Sequence, residues 1–309
     1  MKDLISVIVL LNDVESYISL SLESILKQTY KNLEILLVDK NSKDNTMKIC
    51  EYYASKDRRI KFVHVDGRTT KNKKNVGIER ANGKYVTFIH AGDRVSTDYI
   101  EYMHKYMKEE KADIVSVNTY NYHERKSYKD IFKVYESNDI LTGYFHMDLT
   151  THCCGKLYKK SLFKDITYAE NVYYDDFMTT YKLFDKAKKV VNIKVDKYCI
   201  VTRKDKNNKI TDKERMKKME ACFGLLSFIE DKYPKLVDSC KIKICYEAIE
   251  LFKNTEDKEY KRQLYSYIKL YRKYALKDRR FDFKKKTLCI RTLLGYNFTR
   301  LSFFLEKSI

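Results

Sequence analysis

The period of the hydrophobic pattern changes regularly over residues 4 to 89, and this alternation constrains the fold more than any other feature. A continuous, largely β-branched apolar run typical of a strand buried on both faces occupies residues 4–11, and residues 33–38, 60–65 and 85–89 are predicted as further strands. Apolar residues at helical spacing lie between them, at 16–26, 45–54 and 75–81. Strands that alternate with helices indicate a doubly wound sheet. We therefore expect an α/β, Rossmann-like fold with a mostly parallel sheet flanked by helices.

The loops after the predicted strands are rich in polar residues. They comprise residues 12–13, 39–44, 67–74 and 90–93. Ligands of doubly wound sheets bind outside the carboxyl ends of the strands, where these loops meet. We expect the binding site at this edge.

The N-terminal segment and the cysteines indicate the cellular compartment of the protein. The apolar run 4–11 is too short for a secretory signal, follows Lys2 and Asp3, and precedes no small-residue cleavage site. Eight cysteines lack the spacing of a metal-ligand motif. We therefore expect a cytoplasmic protein with reduced thiols.

The positive charge is concentrated in the last third of the chain. From Thr202 onward there are 28 Lys and Arg residues against 15 Asp and Glu residues, within a net charge of +19 for the whole chain. A basic region implies an anionic partner: nucleic acid, an anionic membrane surface or a phosphorylated acceptor. We do not expect nucleic-acid binding, because no recognised nucleic-acid-binding module accompanies the charge.

The region after residue 205 shows helical spacing at 213–229, 241–252 and 260–275, which predicts a basic helical C-terminal region over 206–309. Its last segment, KKKTLCIRTLLGYNFTRLSFFLEKSI, mixes basic with apolar and aromatic residues. Such a basic amphipathic helix is typical of an anchor at a membrane surface, here the inner face of the membrane. A helix packed on the main domain would show the same pattern, and both interpretations stay open.

Three segments together resemble family 2 glycosyltransferases of the GT-A fold. They are SVIVLLNDVESYISLSLESILKQTYKNLEILLVDKNSKDNT, KNVGIERANGKYVTFIHAGD, and GKLYKKSLF with AENVYYDDFMTTYKLF. The resemblance implies a GT-A domain over residues 1–205. It also implies transfer of a sugar from a nucleotide-diphosphate sugar to an acceptor hydroxyl with inversion, in the assembly of a cell-surface glycan or glycoconjugate.

The resemblance assigns the nucleotide contact to Asp39, which matches the aspartate that contacts uracil after the second strand. A carboxylate at a strand end also caps the following helix in many proteins. Asn12 stands where the family has a tyrosine that stacks on the base, and Lys40 replaces a second family aspartate. Both departures weaken the case for an ordinary uridine pocket.

The segment YVTFIHAGDRV, residues 85–95, departs furthest from the family. The family has Asp-Ser-Asp-Asp here, a cluster that binds Mg²⁺ or Mn²⁺, and Asp93 is the acidic residue that this chain keeps. His90 and Asp93 would form a weak metal site, because Mn²⁺ accepts imidazole as well as carboxylate. Alternatively, His90 is a solvated turn residue.

Fixed cations are a second means of stabilising a leaving diphosphate. They would allow the enzyme to use the donor without a metal. The candidates are Lys74 and Arg203, with Arg68 and Arg94 nearby in the predicted loops. A solvated basic face would account for the same charges.

The pair Asp175-Asp176 aligns with the family's Glu-Asp pair, whose second member is the usual general base. Asp176 is therefore the predicted base, and Asp175 is placed to position the acceptor or the helix N-terminus. Two carboxylates at the start of a helix also complement its dipole, which is the structural alternative.

Two functions follow. The first is a glycosyltransferase acting on a glycan or lipid-linked acceptor at the membrane surface, alone, as a homo-oligomer or with a partner glycosyltransferase. The second is a catalytically lapsed GT-A domain that binds a ligand or supports an active transferase. Asp39, Asp93 and Asp176 favour the enzyme, and the incomplete metal motif favours the binding domain.

Overall fold

The computed structural model describes residues 2–66, 71–121, 131–146, 148–170, 172–201, 210–278 and 283–307. The chain divides into two compact units. The first comprises residues 1–144, 148–171 and 175–206, and the second comprises residues 145–147, 172–174 and 207–309.

The first unit begins with the alternation that the sequence predicts. Its strands are β1 (Ile5–Leu10), β2 (Leu33–Asp39), β3 (Ile60–His64) and β4 (Tyr85–His90), and the intervening helices are α1 (Ile18–Leu26), α2 (Thr46–Lys56) and α3 (Lys73–Arg80). The four strands pair in parallel in the order β3-β2-β1-β4. Every residue of β1 and β2 is buried, which explains their largely apolar sequences. The α/β prediction is confirmed.

Beyond β4 the sheet is mixed, which the sequence patterns do not show. The further strands are β5 (Arg94–Val95), β6 (Ile114–Asn121), β7 (Ile131–Glu136), β8 (Lys156–Lys159) and β9 (Lys189–Ile200). β8 runs antiparallel between β4 and β6, whereas β6 pairs with β9 in parallel. β5 and β7 are each antiparallel to β9. The helices of this part are α4 (Tyr99–Glu109), α5 (Asn138–Phe145) and α6 (Asp175–Lys186).

Helix α3 lies close against the sheet because of Gly77. A Cβ atom at this position would lie 2.5 Å from Cγ2 of Ile8 and 3.3 Å from Cγ2 of Val38. No side chain fits between the helix and these strands. The close packing fixes the first turn of α3, which contributes to the candidate site.

The second unit is helical. Its helices are α7 (Asp212–Lys232), α8 (Val237–Asn254), α9 (Lys258–Lys277), α10 (Phe283–Arg291) and α11 (Tyr296–Lys307). A capping box between Thr211 and Glu214 starts α7. The last segment is two helices rather than the single predicted one, separated by a 3-10 turn (Thr292–Leu294) that Gly295, with a φ of 95°, ends. None of the described helices combines the length and apolar character that crossing a membrane requires.

Candidate active site

The carboxyl ends of β1, β2 and β4 meet at one edge of the sheet. Leu10 at the end of β1 pairs with Val38 on one side and with His90 on the other. Asp39 follows Val38 as the last residue of β2. The structure thus brings two of the predicted site residues, Asp39 and His90, to the edge where ligands of such sheets bind.

Asp39 is buried and holds the loop that follows β2. Its Oδ1 accepts from Oγ of Ser42 at 2.5 Å, and its Oδ2 accepts from the backbone N–H of Ser42 at 3.1 Å. The N–H of Asp13 donates in turn to Oγ of Ser42 at 3.1 Å, which ties together the loops after β1 and β2. Asp39 therefore braces a turn and does not cap α2. Its contact with a nucleotide stays a prediction.

The turn after β4 buries Asp93, and its contact with the donor stays a prediction. Oδ2 of Asp93 accepts from the Tyr198 hydroxyl at 2.7 Å, and Oδ1 accepts from the N–H of Val201 at 3.0 Å. Burial raises the pKa of Asp93 above its usual value, although these hydrogen bonds oppose the rise. Gly92, with a φ of 104°, makes the turn possible.

This turn does not fit a Mg²⁺ or Mn²⁺ site. Such cations require several oxygen ligands, and this turn supplies one carboxylate, Asp93, which is 5% exposed and anchors the end of β9. His90 is partly exposed, and its ring lies beside the thiols of Cys153 and Cys154, with the potential ligand atoms of all three residues within 4.8 Å of one another. In the described part of the chain, Asp93 does not belong to this group.

Lys74 joins the two acidic residues of α6. Its Nζ lies 2.8 Å from Oδ2 of Asp175 and 2.7 Å from Oδ1 of Asp176, and its side chain is only 7% exposed. Burial disfavours the ammonium, but the neighbouring negative groups outweigh that effect and raise the pKa of Lys74. Lys74 is thus a permanent cation whose partners are the two carboxylates. Its contact with a diphosphate stays a prediction.

The start of α3 positions Lys74. The side chain of Asn72 caps α3 by accepting from the N–H of Lys74 at 2.9 Å. Its Nδ2 donates to Oδ2 of Asp175 at 2.6 Å and to the carbonyl of Ala169 at 2.9 Å. These bonds link the first turn of α3 to the start of α6.

Asp176 keeps a route to solvent. Oδ2 of Asp176 accepts from the N–H of Cys153 at 3.0 Å, and the side chain is 16% exposed. Burial alone would raise the pKa of Asp176, but the Lys74 ammonium and the Cys153 N–H lower it below its usual value. Asp176 is therefore an ionised carboxylate at neutral pH. Asp175 also accepts from the N–H of Asp176 at 2.9 Å, so helix capping and ion pairing occur together.

Local sequence patterns do not identify several residues of the candidate site. Tyr198, Cys153 and Cys154 reach the site from segments more than 60 residues away from His90, and no motif connects them. Arg203 and Arg68, predicted as donor contacts, lie outside the described residues.

Comparisons with known proteins agree on one family. The model of the family described as glycosyl transferase family 2 matches residues 6–167. Glycosyltransferase GlyG of Streptococcus pneumoniae serotype 4 is 31% identical over 213 residues, covering 64% of this chain and 70% of GlyG. Minor teichoic acid biosynthesis protein GgaB of Bacillus subtilis is 28% identical over 207 residues, covering 65% of this chain and 23% of GgaB.

Among solved structures, S. aureus TarS 1–349 in complex with UDP-GlcNAc is similar to this chain with a TM-score of 0.73 and 19% identity. The match covers 96% of this chain and 89% of the TarS chain. At this identity the likeness shows the GT-A fold.

Proposed function

Since the chain belongs to glycosyl transferase family 2, we propose that it transfers a sugar from a nucleotide-diphosphate sugar to an acceptor hydroxyl with inversion at the anomeric carbon. The first unit provides the fold and the carboxylates for this reaction. The relative GlyG is named a glycosyltransferase, which favours an enzyme over a lapsed binding domain.

The observation that carries the proposal is the placement of Asp176. A general base must be ionised and must keep a free lone pair for the incoming proton. Lys74 and the Cys153 N–H each engage one oxygen of Asp176, and every carboxylate oxygen has two acceptor sites. Asp176 can therefore accept a hydrogen bond from an acceptor hydroxyl while its existing bonds hold it in place.

The proposed step is a direct displacement. The acceptor oxygen attacks the anomeric carbon, and Asp176 takes its proton as the new bond forms. The nucleoside diphosphate leaves from the opposite face with the electron pair of the broken bond. Lys74 holds Asp176 at the start of α6, and Asp175 braces Lys74 from the other side. No part of this step is assigned to a metal.

We propose a UDP-sugar as the donor to test first, because the TarS structure contains UDP-GlcNAc. Asp39 is the proposed contact to the nucleotide base, and Lys74 and Arg203 are the proposed contacts to the diphosphate. The proposed acceptor is a cell-surface glycan or its lipid-linked precursor, in line with the teichoic acid role that the name of GgaB states.

Helices α10 and α11 support a further proposal, association with an anionic membrane surface. Cys289, Thr299 and Phe303 are buried, so part of this segment packs within the helical unit. Among its described residues, these large apolar side chains are exposed: Ile290, Leu293, Leu294, Phe298 and Leu301. Arg291 and Arg300 lie in the same segment and supply the matching positive charge.

Vesicle sedimentation tests the membrane proposal. Replacing Leu294, 66% exposed, and Leu301, 56% exposed, with Ser should leave the fold unchanged and weaken binding to anionic vesicles by about 10-fold or more. Phe62→Ser in β3 is the matched control, since Phe62 is 41% exposed in the other unit. Equal vesicle binding by the parent and the Leu294→Ser, Leu301→Ser variant would contradict the membrane proposal.

The transfer reaction is tested with a panel of UDP-sugars and surface-glycan acceptors. The expected result is release of UDP that depends on the acceptor, together with protection of the protein against heat by UDP. Protection without transfer would favour the binding domain. Neither protection nor transfer with any donor would overturn the proposed function.

A further inference from the structure

A cluster of two thiols and one imidazole lies at the carboxyl edge of the sheet, beside the proposed base. The Sγ atoms of Cys153 and Cys154 are 3.8 Å apart. The ligand atoms of His90 and both cysteines all lie within 4.8 Å of one another. Neither the proposed transfer step nor the family's oxygen-rich metal motif uses these thiols.

The spacing matches that of ligands around one metal ion. Two sulfurs bound to Zn²⁺ at about 2.3 Å with a tetrahedral angle lie about 3.8 Å apart. We propose that His90, Cys153 and Cys154 form a three-ligand site for a thiophilic divalent cation of the Zn²⁺ class.

The backbone holds the two cysteines in the required arrangement. Successive side chains of an extended strand point to opposite faces, so adjacent cysteines need a bend to place both sulfurs together. Residues 153–155 form such a bend, and Gly155, with a φ of 71°, connects it to β8. The N–H of Cys153 donates to Asp176 at 3.0 Å, and the Tyr158 hydroxyl donates to the Cys153 carbonyl at 3.2 Å.

The imidazole comes from the rigid end of β4. His90 pairs with Leu10, and its backbone N–H donates to the Tyr198 hydroxyl at 3.1 Å. Both cysteines are buried, whereas His90 is partly exposed and provides a route of entry. Three protein ligands leave the fourth tetrahedral position to water or another small ligand.

The ligand types decide which metals the site accepts. Thiolate sulfur selects Zn²⁺ and related soft cations, whereas Mg²⁺ and Ca²⁺ prefer oxygen. A divalent cation bound by two thiolates and a neutral imidazole has no net charge, which limits the cost of burying it. The site should therefore bind Zn²⁺ or Co²⁺ and should not bind Mg²⁺.

Cobalt titration of the reduced, metal-free full chain tests the proposal without donor or acceptor. The expected result is about one equivalent of Co²⁺ bound with a sulfur-to-cobalt absorption, displaced by Zn²⁺ and unaffected by excess Mg²⁺. Absence of this absorption in the folded parent would overturn the site, whatever the outcome of the transfer assay.

Three variants locate the bound metal. The double variant Cys153→Ser, Cys154→Ser should abolish the sulfur-to-cobalt absorption. Loss of a residue that only hydrogen-bonds to a metal ligand usually weakens metal binding about 10- to 100-fold. His90→Ala removes a ligand itself and should weaken Co²⁺ binding by more than that. His90 is partly exposed, so its variant tests the site even where the double cysteine variant fails to fold. Cys50→Ser in α2, another buried thiol, should bind Co²⁺ like the parent. Full cobalt binding by His90→Ala, or its loss in Cys50→Ser, would contradict the assignment.

Discussion

Two acidic segments of the first unit hold their carboxylates in different ways. In the turn after β4, Asp93 is 5% exposed and accepts from the hydroxyl of Tyr198 and the main chain of Val201. At the start of α6, Asp176 is 16% exposed and accepts from an ammonium and one backbone N–H. The pKa of Asp93 lies above its usual value, and the pKa of Asp176 lies below it.

The difference separates a carboxylate that supports the fold from one suited to chemistry. A buried carboxylate satisfied by a strand and a tyrosine stabilises those donors, and its removal leaves them without partners. A charge-paired carboxylate near solvent stays ionised and can take a proton from a bound hydroxyl. Asp93 belongs to the first kind, and we assign Asp176 to the second. Each of the following variants tests one side of this division.

The largest expected effect is on turnover. Asp176→Asn keeps the shape and one of the two hydrogen-bonding oxygens but cannot take the proton of the sugar acceptor, so kcat should fall about 10²- to 10⁴-fold while donor affinity is kept. Asp185→Asn makes the same chemical change near the other end of α6 and is the control. Steady-state UDP release measures both. An equal loss of kcat in the two variants would show that the loss comes from a change in helix α6 and not from removal of the base.

The next effect is on stability at the same segment. Lys74→Met leaves Asp175 and Asp176 as partly buried carboxylates without their cation, which should lower the free energy of unfolding by about 3 kcal/mol. Urea denaturation measures this loss of unfolding free energy. The neighbouring Lys71 is 58% exposed, and Lys71→Met should change stability by less than about 0.5 kcal/mol. Similar values for the two lysines would show that Lys74 does not hold the pair.

A smaller stability effect belongs to the turn after β4. Asp93→Ala removes the acceptor of the buried Tyr198 hydroxyl and of the Val201 N–H, which should cost about 2 kcal/mol. In a cycle with Tyr198→Phe the two losses should not add, with a coupling of about 1 kcal/mol. Additive losses would show that the hydrogen bond between Asp93 and Tyr198 does not stabilise the fold.

Most of the parallel half of the sheet was predictable because β1, β2 and β4 are buried on both faces and have largely apolar sequences. The antiparallel strand β8 was not, since its four residues, KLYK, contain no long apolar run and its neighbours β4 and β6 are distant in sequence. The break between α10 and α11 depends on the backbone conformation of Gly295, which hydrophobic spacing does not reveal.

The site was predictable where a single segment carries the signal. The adjacent carboxylates at the start of α6 stand out in the sequence, and the structure pairs them with Lys74 as an ionic group. The partners of His90 and Asp93 come from β9 and from the segment before β8. Such long-range pairing depends on strand order, which one sequence does not show.

The most direct test measures turnover and the free energy of unfolding together for Asp176→Asn and Asp93→Ala. We predict that Asp176→Asn loses about 10²- to 10⁴-fold in kcat and about 1 to 2 kcal/mol of unfolding free energy, because the amide has one acceptor oxygen for two donors. Asp93→Ala should lose about 2 kcal/mol of stability and keep kcat per folded molecule within about 10-fold. Near-parent turnover by Asp176→Asn, with the large kcat loss in Asp93→Ala instead, would contradict the assignment of the base.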